Sequence, residues 1–216
     1  MELNFKKGKE MLIDFRREKT IIPAIKINDY ICTTVSSYKL LGLWVDDDLK
    51  WKTNTEYIVK KAAKRLYFLH VLKSYHAPQD DLKSFYTAVI RSTLEYGAQV
   101  WNGGLTKKQS QDIEKIQKRA LRIIYPEYDY QQALIVTKLK SLKSRRDDMC
   151  VELFRCMSNP AHKLHNLLPK KVDQIRAKQT RSNGQKFYNF KCNTERFKQS
   201  PVAFGIEKYN AYLDGD

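Results

Sequence analysis

The sequence predicts an α+β chain that is mostly helical, with a small N-terminal antiparallel β segment, a helical bundle and an irregular basic tail. Three observations carry this. Short β-branched and aromatic runs fill the first 50 residues. After Trp51 the apolar period changes to 3.6. From residue 169 the periodicity disappears while basic residues persist. With 216 residues, 42% of them apolar, the chain can bury a core as one compact domain or two small ones.

The β segment covers residues 1–50. MLIDF at 11–15, AIKIN at 24–28, YICTTV at 30–35 and YKLLGLWV at 38–45 read as short strands separated by charged and turn residues. Four such strands do not make an independent domain, because one face of the sheet would lack a covering layer. The next segment, 51–126, is helical. Thr53 and Glu56 have capping-box spacing, and Ile58, Ala62, Leu66, Leu69 and Leu72 then share one face of a helix over 54–74. Pro78 followed by Asp80 and Asp81 starts a second helix reaching Tyr96, since proline suits the first turn and carboxylates suit the positive end of the dipole. GAQVWNGG interrupts the pattern, and Thr106 with Gln109 caps a third helix over 107–124. Residues 127–170 read as a helical extension, with helices at 130–139 and 141–157 stopped by Asn159 and Pro160, and one more apolar turn at 164–169. The last segment, 171–216, is expected to be a loop-rich or disordered basic tail in which Phe187, Tyr188, Phe190 and Phe197 are available for stacking.

Forty Lys and Arg against 24 acidic residues give a net charge of +16 and favour a polyanionic partner, nucleic acid before a membrane surface. No run approaches the roughly 18 apolar residues of a membrane span, and the N-terminus lacks the apolar core of a signal peptide. A nuclear or cytoplasmic, non-secreted protein without a membrane partner is expected, and Cys32, Cys150, Cys156 and Cys192 are read as free thiols.

The charge is not scattered. On the third helix Lys115, Lys118, Arg119 and Arg122 fall within an arc of about 100° opposite Ile113, Ile116, Ala120, Ile123 and Ile124. On the first, Lys60 and Lys64 project opposite the apolar stripe, with Lys61 and Arg65 on its flanks. A charge run can equally be a solvated face, but two basic faces on neighbouring helices favour a groove for phosphates.

Other constellations read as structural. Asp46, Asp47 and Asp48 are consecutive, so a strand cannot aim all three at one metal site, and they form a turn. Cys150, Cys156, His162 and His165 lack zinc-site spacing. No P-loop, dinucleotide fingerprint, GxSxG or HExxH is present. No catalytic or metal-binding residue is assigned.

KLLGLWVDDDLKW at 39–51, KKAAKRLYFLHVLK at 60–73 and LEYGAQVWNGGLTKKQSQDIEKIQKRALRIIYPE at 94–127 resemble the C-terminal part of LINE-type, jockey-like (non-long-terminal-repeat) retrotransposon reverse transcriptases. The resemblance implies the end of a palm, a thumb-like helical domain and a C-terminal extension, with the catalytic carboxylate pair missing. Tyr38, Leu41, Gly42 and Trp51 match the primer-grip strand pair, where Gly42 would permit close approach of a primer. Leu41 and Trp51 are also read as core residues. Asn4 and Lys7 match the segment after the catalytic hairpin, where Lys7 would face nucleotide phosphates, although Gly8 replaces the family's threonine.

The implied function is a truncated RNA-directed DNA polymerase, inactive by itself. Its partners would be RNA and DNA as primer-template and the missing N-terminal polymerase portion, with Mg2+ needed only by the intact enzyme. The alternatives are a stand-alone, non-catalytic nucleic-acid-binding protein and a relic without selected function. Trp51–Leu72 also resembles a small helical module attached to some alkylated-DNA-repair dioxygenases, although no histidine here has the Asp two residues on that their iron site uses.

Overall fold

The computed structural model describes residues 8–16, 18, 22–27, 30–172 and 186–215. A small strand region precedes a mostly helical body, as the composition of the two halves implies. The strands form three separate pairs rather than one antiparallel segment. β1 (Lys9–Glu10) runs parallel to β4 (Thr33–Thr34), whereas β2 (Lys26–Ile27) and β3 (Tyr30–Ile31) are antiparallel. Residues 11–15 are not a strand, and Asn28 at the end of the expected 24–28 strand lies outside the described residues. Pairing falls at Glu10 instead, whose carboxylate accepts from the Ile25 amide at 2.8 Å and the Thr34 hydroxyl at 2.6 Å.

β5 (Ser37–Leu40) and β6 (Leu43–Asp46) make the longest hairpin, joined by a two-residue turn. Leu41 and Gly42 have φ of 47° and 89°, the doubly left-handed turn that matches strand twist. Glycine enters this region freely, whereas leucine does so at a cost of about 1–2 kcal/mol. Leu41 is 85% exposed, which corrects its assignment to the core. Its carbonyl accepts from the Tyr96 hydroxyl at 2.9 Å, and a Cβ on Gly42 would stand 3.2 Å from the Tyr96 ring. The hairpin tip is thereby fastened to the helical body.

α1 (Lys52–Ser74) begins at Trp51, whose left-handed backbone replaces the expected Thr53–Glu56 capping box. The cap comes from the strand, because an Asp46 carboxylate oxygen accepts from the Thr53 amide at 3.2 Å. A continuous rod follows: α2 (Gln79–Phe85), a π-helical turn (Tyr86–Arg91) and α3 (Ser92–Glu95). Gly97, at φ 62°, turns the chain into α4 (Ala98–Trp101). α5 (Lys107–Ile124) starts on the expected capping box, with Thr106 accepting from the Gln109 amide at 3.2 Å and Gln109 accepting from the Thr106 amide at 2.7 Å. α6 (Tyr130–Thr137) has an Asp129–Gln132 capping box of the same kind, and α7 (Leu142–Ser158) is capped by Ser141.

The apolar faces of α1 and α5 meet the rod and Trp101 in one buried cluster that includes Ile58, Leu66, Tyr86, Leu94, Ile113 and Ile124. α1 and α5 run parallel: Gln109 donates to the Lys50 carbonyl where both begin, and Lys73 donates to the Ile124 carbonyl where both end. A polar chain crosses this core. Tyr86 donates to Gln117 at 2.5 Å, Gln117 to Tyr130 at 2.9 Å, and Tyr130 to Glu114, whose carboxylate also receives the Leu142 and Lys143 amides at the start of α7. Burial pushes the Tyr86 and Tyr130 hydroxyls up in pKa, keeping them as donors.

The C-terminal segment also departs from expectation. Beyond α8 (Glu195–Lys198), residues Pro201–Gly215 form α9, which packs against α7. Phe187 is not available for stacking, being buried with Phe154 and Ile206 and ring to ring with Tyr209. A Cβ on Gly205 would lie 2.4 Å from the Phe154 ring, so the glycine permits this close helix contact. Asp173, and the basic residues from 173 to 185 that made the tail look irregular, lie outside the described residues.

Candidate functional site

Because α1 and α5 lie side by side in parallel and both turn apolar stripes toward one core, their polar faces share the opposite side. Lys60, Lys61 and Lys64 on α1 and Lys115, Lys118, Arg119 and Arg122 on α5 are all exposed there. A helix surface evolved only for solubility usually interleaves carboxylates that pair at i,i+3 or i,i+4. Here Lys115 has such a partner, Asp112 at 2.7 Å, and among the described residues the other six form no ion pair. Lys118 stands 5.0 Å from the Tyr130 ring centroid.

Between the first halves of the two helices lies a groove of about 500 Å³. Lys52, Lys108, Lys115 and Arg119 line it, with Glu56 and Asp112 as the opposing charges and Val59 and Ile116 among the apolar lining. The basic stripe of α5 is continuous with this groove through Lys115 and Arg119.

The remaining residues singled out from the sequence separate from this face. Arg65 is turned inward, its guanidinium donating to the Val89 carbonyl and the Thr93 hydroxyl. It thus fastens α1 to the π-helical turn. Gly42 is packed on Tyr96 at the hairpin tip. Lys7 and Asn4 lie outside the described residues. Only Asp47 and Asp48 lie in the expected turn, with Asp48 pairing to Lys50 at 2.9 Å, whereas Asp46 ends β6 and is buried against the start of α1. Cys150 is buried while Cys156 is exposed, so the two thiols do not converge.

One cluster escapes a reading of the sequence. The Lys39 ammonium donates to the Tyr57 hydroxyl at 3.1 Å and stands 4.5 Å from the ring centroid, with Lys61 5.8 Å from it and Trp44 edge-on at 6.4 Å. The hydrogen bond from Lys39 lowers the Tyr57 pKa, and the charges of Lys39, Lys61 and Arg65 add to it. A signal exists at Tyr57 and Lys61, which are four residues apart on a helix. Lys39 comes from the hairpin, and only its docking brings it in.

The comparisons with known proteins bear on the first helical elements. Residues 51–92 match the model of the family described as alkylated DNA repair protein alkB homolog 8, N-terminal. The match spans α1, α2 and the π-helical turn, about a fifth of the chain. No curated protein and no solved structure matches. The family match overturns the reading of this chain as the C-terminal part of a LINE-type retrotransposon reverse transcriptase. It falls on KKAAKRLYFLHVLK, one of the segments on which that reading leaned most. The implied RNA-directed DNA polymerase is withdrawn with it. The other likeness, of Trp51–Leu72 to a module of alkylated-DNA-repair proteins, is the one the match supports, and it extends to Ser92.

Proposed function

We propose that this chain is a nucleic-acid-binding helical module that holds its ligand through phosphate contacts on the shared face of α1 and α5. The observation that carries this reading is the set of exposed cations there without carboxylate partners among the described residues: Lys60, Lys61, Lys64, Lys118, Arg119 and Arg122. The net charge of +16 agrees with it, and the family whose model matches α1 has DNA in its name. Unpaired ammonium and guanidinium groups release condensed counterions from a polyanion, which makes binding tight at low salt and weak at high salt.

The test is binding of a fluorescently labelled oligonucleotide, followed by anisotropy across a salt series. Reversing Lys118, Arg119 and Arg122 to Glu should weaken binding and reduce the slope of log K against log salt by roughly one for each phosphate no longer neutralised. Lys115→Glu alone should have a smaller effect, because Asp112 already engages that ammonium. Binding unchanged by the triple reversal would reject this face as the interface.

A further inference from the structure

α1 carries aromatic residues that its fold does not use. Tyr67 and Phe68 are 66% and 56% exposed, and their rings pack edge to face at 5.7 Å between centroids. Adjacent exposed aromatics form a patch that burial does not explain, and the charges around them indicate what would cover it. Tyr57, Lys61, Lys64 and Phe68 fall four, three and four residues apart, the spacing that puts side chains on one helical stripe. The stripe runs roughly 16 Å along the helix. Lys61 and Lys64 occupy its middle without an ion pair among the described residues, and at its start Lys39 and Lys61 gather around the Tyr57 ring.

We infer that this stripe is a track for an unpaired strand, with a base stacked on the exposed face of Phe68 or Tyr67 and the adjoining phosphates held by Lys64, Lys61 and the Lys39–Tyr57 pair. The inference rests on the nucleic-acid reading above and narrows it from any phosphate backbone to single-stranded nucleic acid. In a duplex the bases are already stacked and present no open face to a side chain, whereas an unpaired base does. An acidic protein segment would meet the same lysines but would leave the two aromatic rings without flat partners. The cations alone bind duplex and single strand alike, so the aromatics are what would separate them.

The experiment compares a single-stranded oligonucleotide with a duplex of the same length, on the full chain and on the variants Tyr67→Ala/Phe68→Ala and Tyr67→Phe/Phe68→Trp. Both side chains are exposed, so circular dichroism and thermal melting should match the parent protein. The alanine pair should weaken single-strand binding roughly tenfold or more with little change for the duplex, and the aromatic pair should retain it. Equal weakening for both ligands, or none for either, would overturn the inference while leaving the phosphate reading intact. Absence of binding to both ligands by the parent chain would overturn both readings. Self-association abolished in the alanine pair, with single-strand binding unchanged, would assign the patch to a protein contact instead.

Discussion

α1 and α7 carry similar basic runs, KKAAKR and KSRR, and use them in opposite ways. In the α7 run both arginines are structural. Arg145 grips the buried Glu95 carboxylate at 2.6 and 3.1 Å, and that bidentate bond raises its pKa. Arg146 is fully buried, donating to Asn102 at 3.0 Å and to Ser110 at 2.9 Å, with its guanidinium 5.8 Å from the Trp101 ring centroid. Burial lowers the Arg146 pKa, an effect opposed by Glu114, Asp147 and Glu95. In the α1 run three of the four cations remain in solvent and Arg65 alone of them is drawn inside. A basic run is therefore available as an interface only where the fold places no acceptor opposite it.

Substitutions in three places put this contrast between the helices at risk. The largest effect is expected at Arg146. Replacing it with Ala strands the Asn102 and Ser110 partners and opens a cavity, costing about 3–5 kcal/mol in urea unfolding. Met, which preserves much of the volume, should cost less. A change under about 1 kcal/mol for the alanine variant would mean that α7 uses its arginines no more structurally than α1 does.

Glu95→Gln comes next. It removes the charge that Arg145 and, at 3.8 Å, Arg91 share, while keeping the shape, and should destabilise by about 1–3 kcal/mol. Stability equal to the parent protein in the same unfolding assay would show that the α3–α7 contact is held by packing alone.

The smallest stability effect is expected on α1, where the contrast occurs within one helix. Arg65→Ala should cost about 1–2 kcal/mol by removing its bonds to the π-helical turn. Lys60→Glu/Lys64→Glu should stay within about 0.5 kcal/mol of the parent protein while weakening nucleic-acid binding. If the lysine pair proved the more destabilising, the division between structural and free cations on α1 would be wrong.

Legibility follows sequence distance. α5 is readable to the residue because everything that defines it is local: Thr106 and Gln109 cap it, and its apolar and basic residues recur at helical spacing. The start of α1 is not, because its cap is Asp46, across a turn, and because Trp51 adopts a left-handed backbone that its side chain does not advertise. α9 is hidden behind the basic stretch without periodicity that precedes it, and its contact with α7 at Gly205 depends on Phe154, far earlier in the sequence. The reverse-transcriptase assignment fails for a related reason. Amphipathic helices with lysines opposite leucines are a solution many proteins share, so matching them identifies a type of surface more readily than a lineage.

Of the candidate site, the α5 stripe and Lys60, Lys61 and Lys64 are visible in the sequence, whereas the Lys39–Tyr57 cluster and the exclusion of Arg65 are not. The amino-acid order alone specifies most helices of the body, the strand-to-helix change near residue 50 and the excess of positive charge, since these depend on periodicity within a few turns and on residue counts. Which charges remain free is settled only when the chain is folded. Arg145 meets Glu95 across 50 residues, Arg65 meets Val89 across 24 and Lys39 meets Tyr57 across 18. Whether a cation is paired depends on an acceptor within a few ångströms, and packing brings that acceptor from a distant part of the chain.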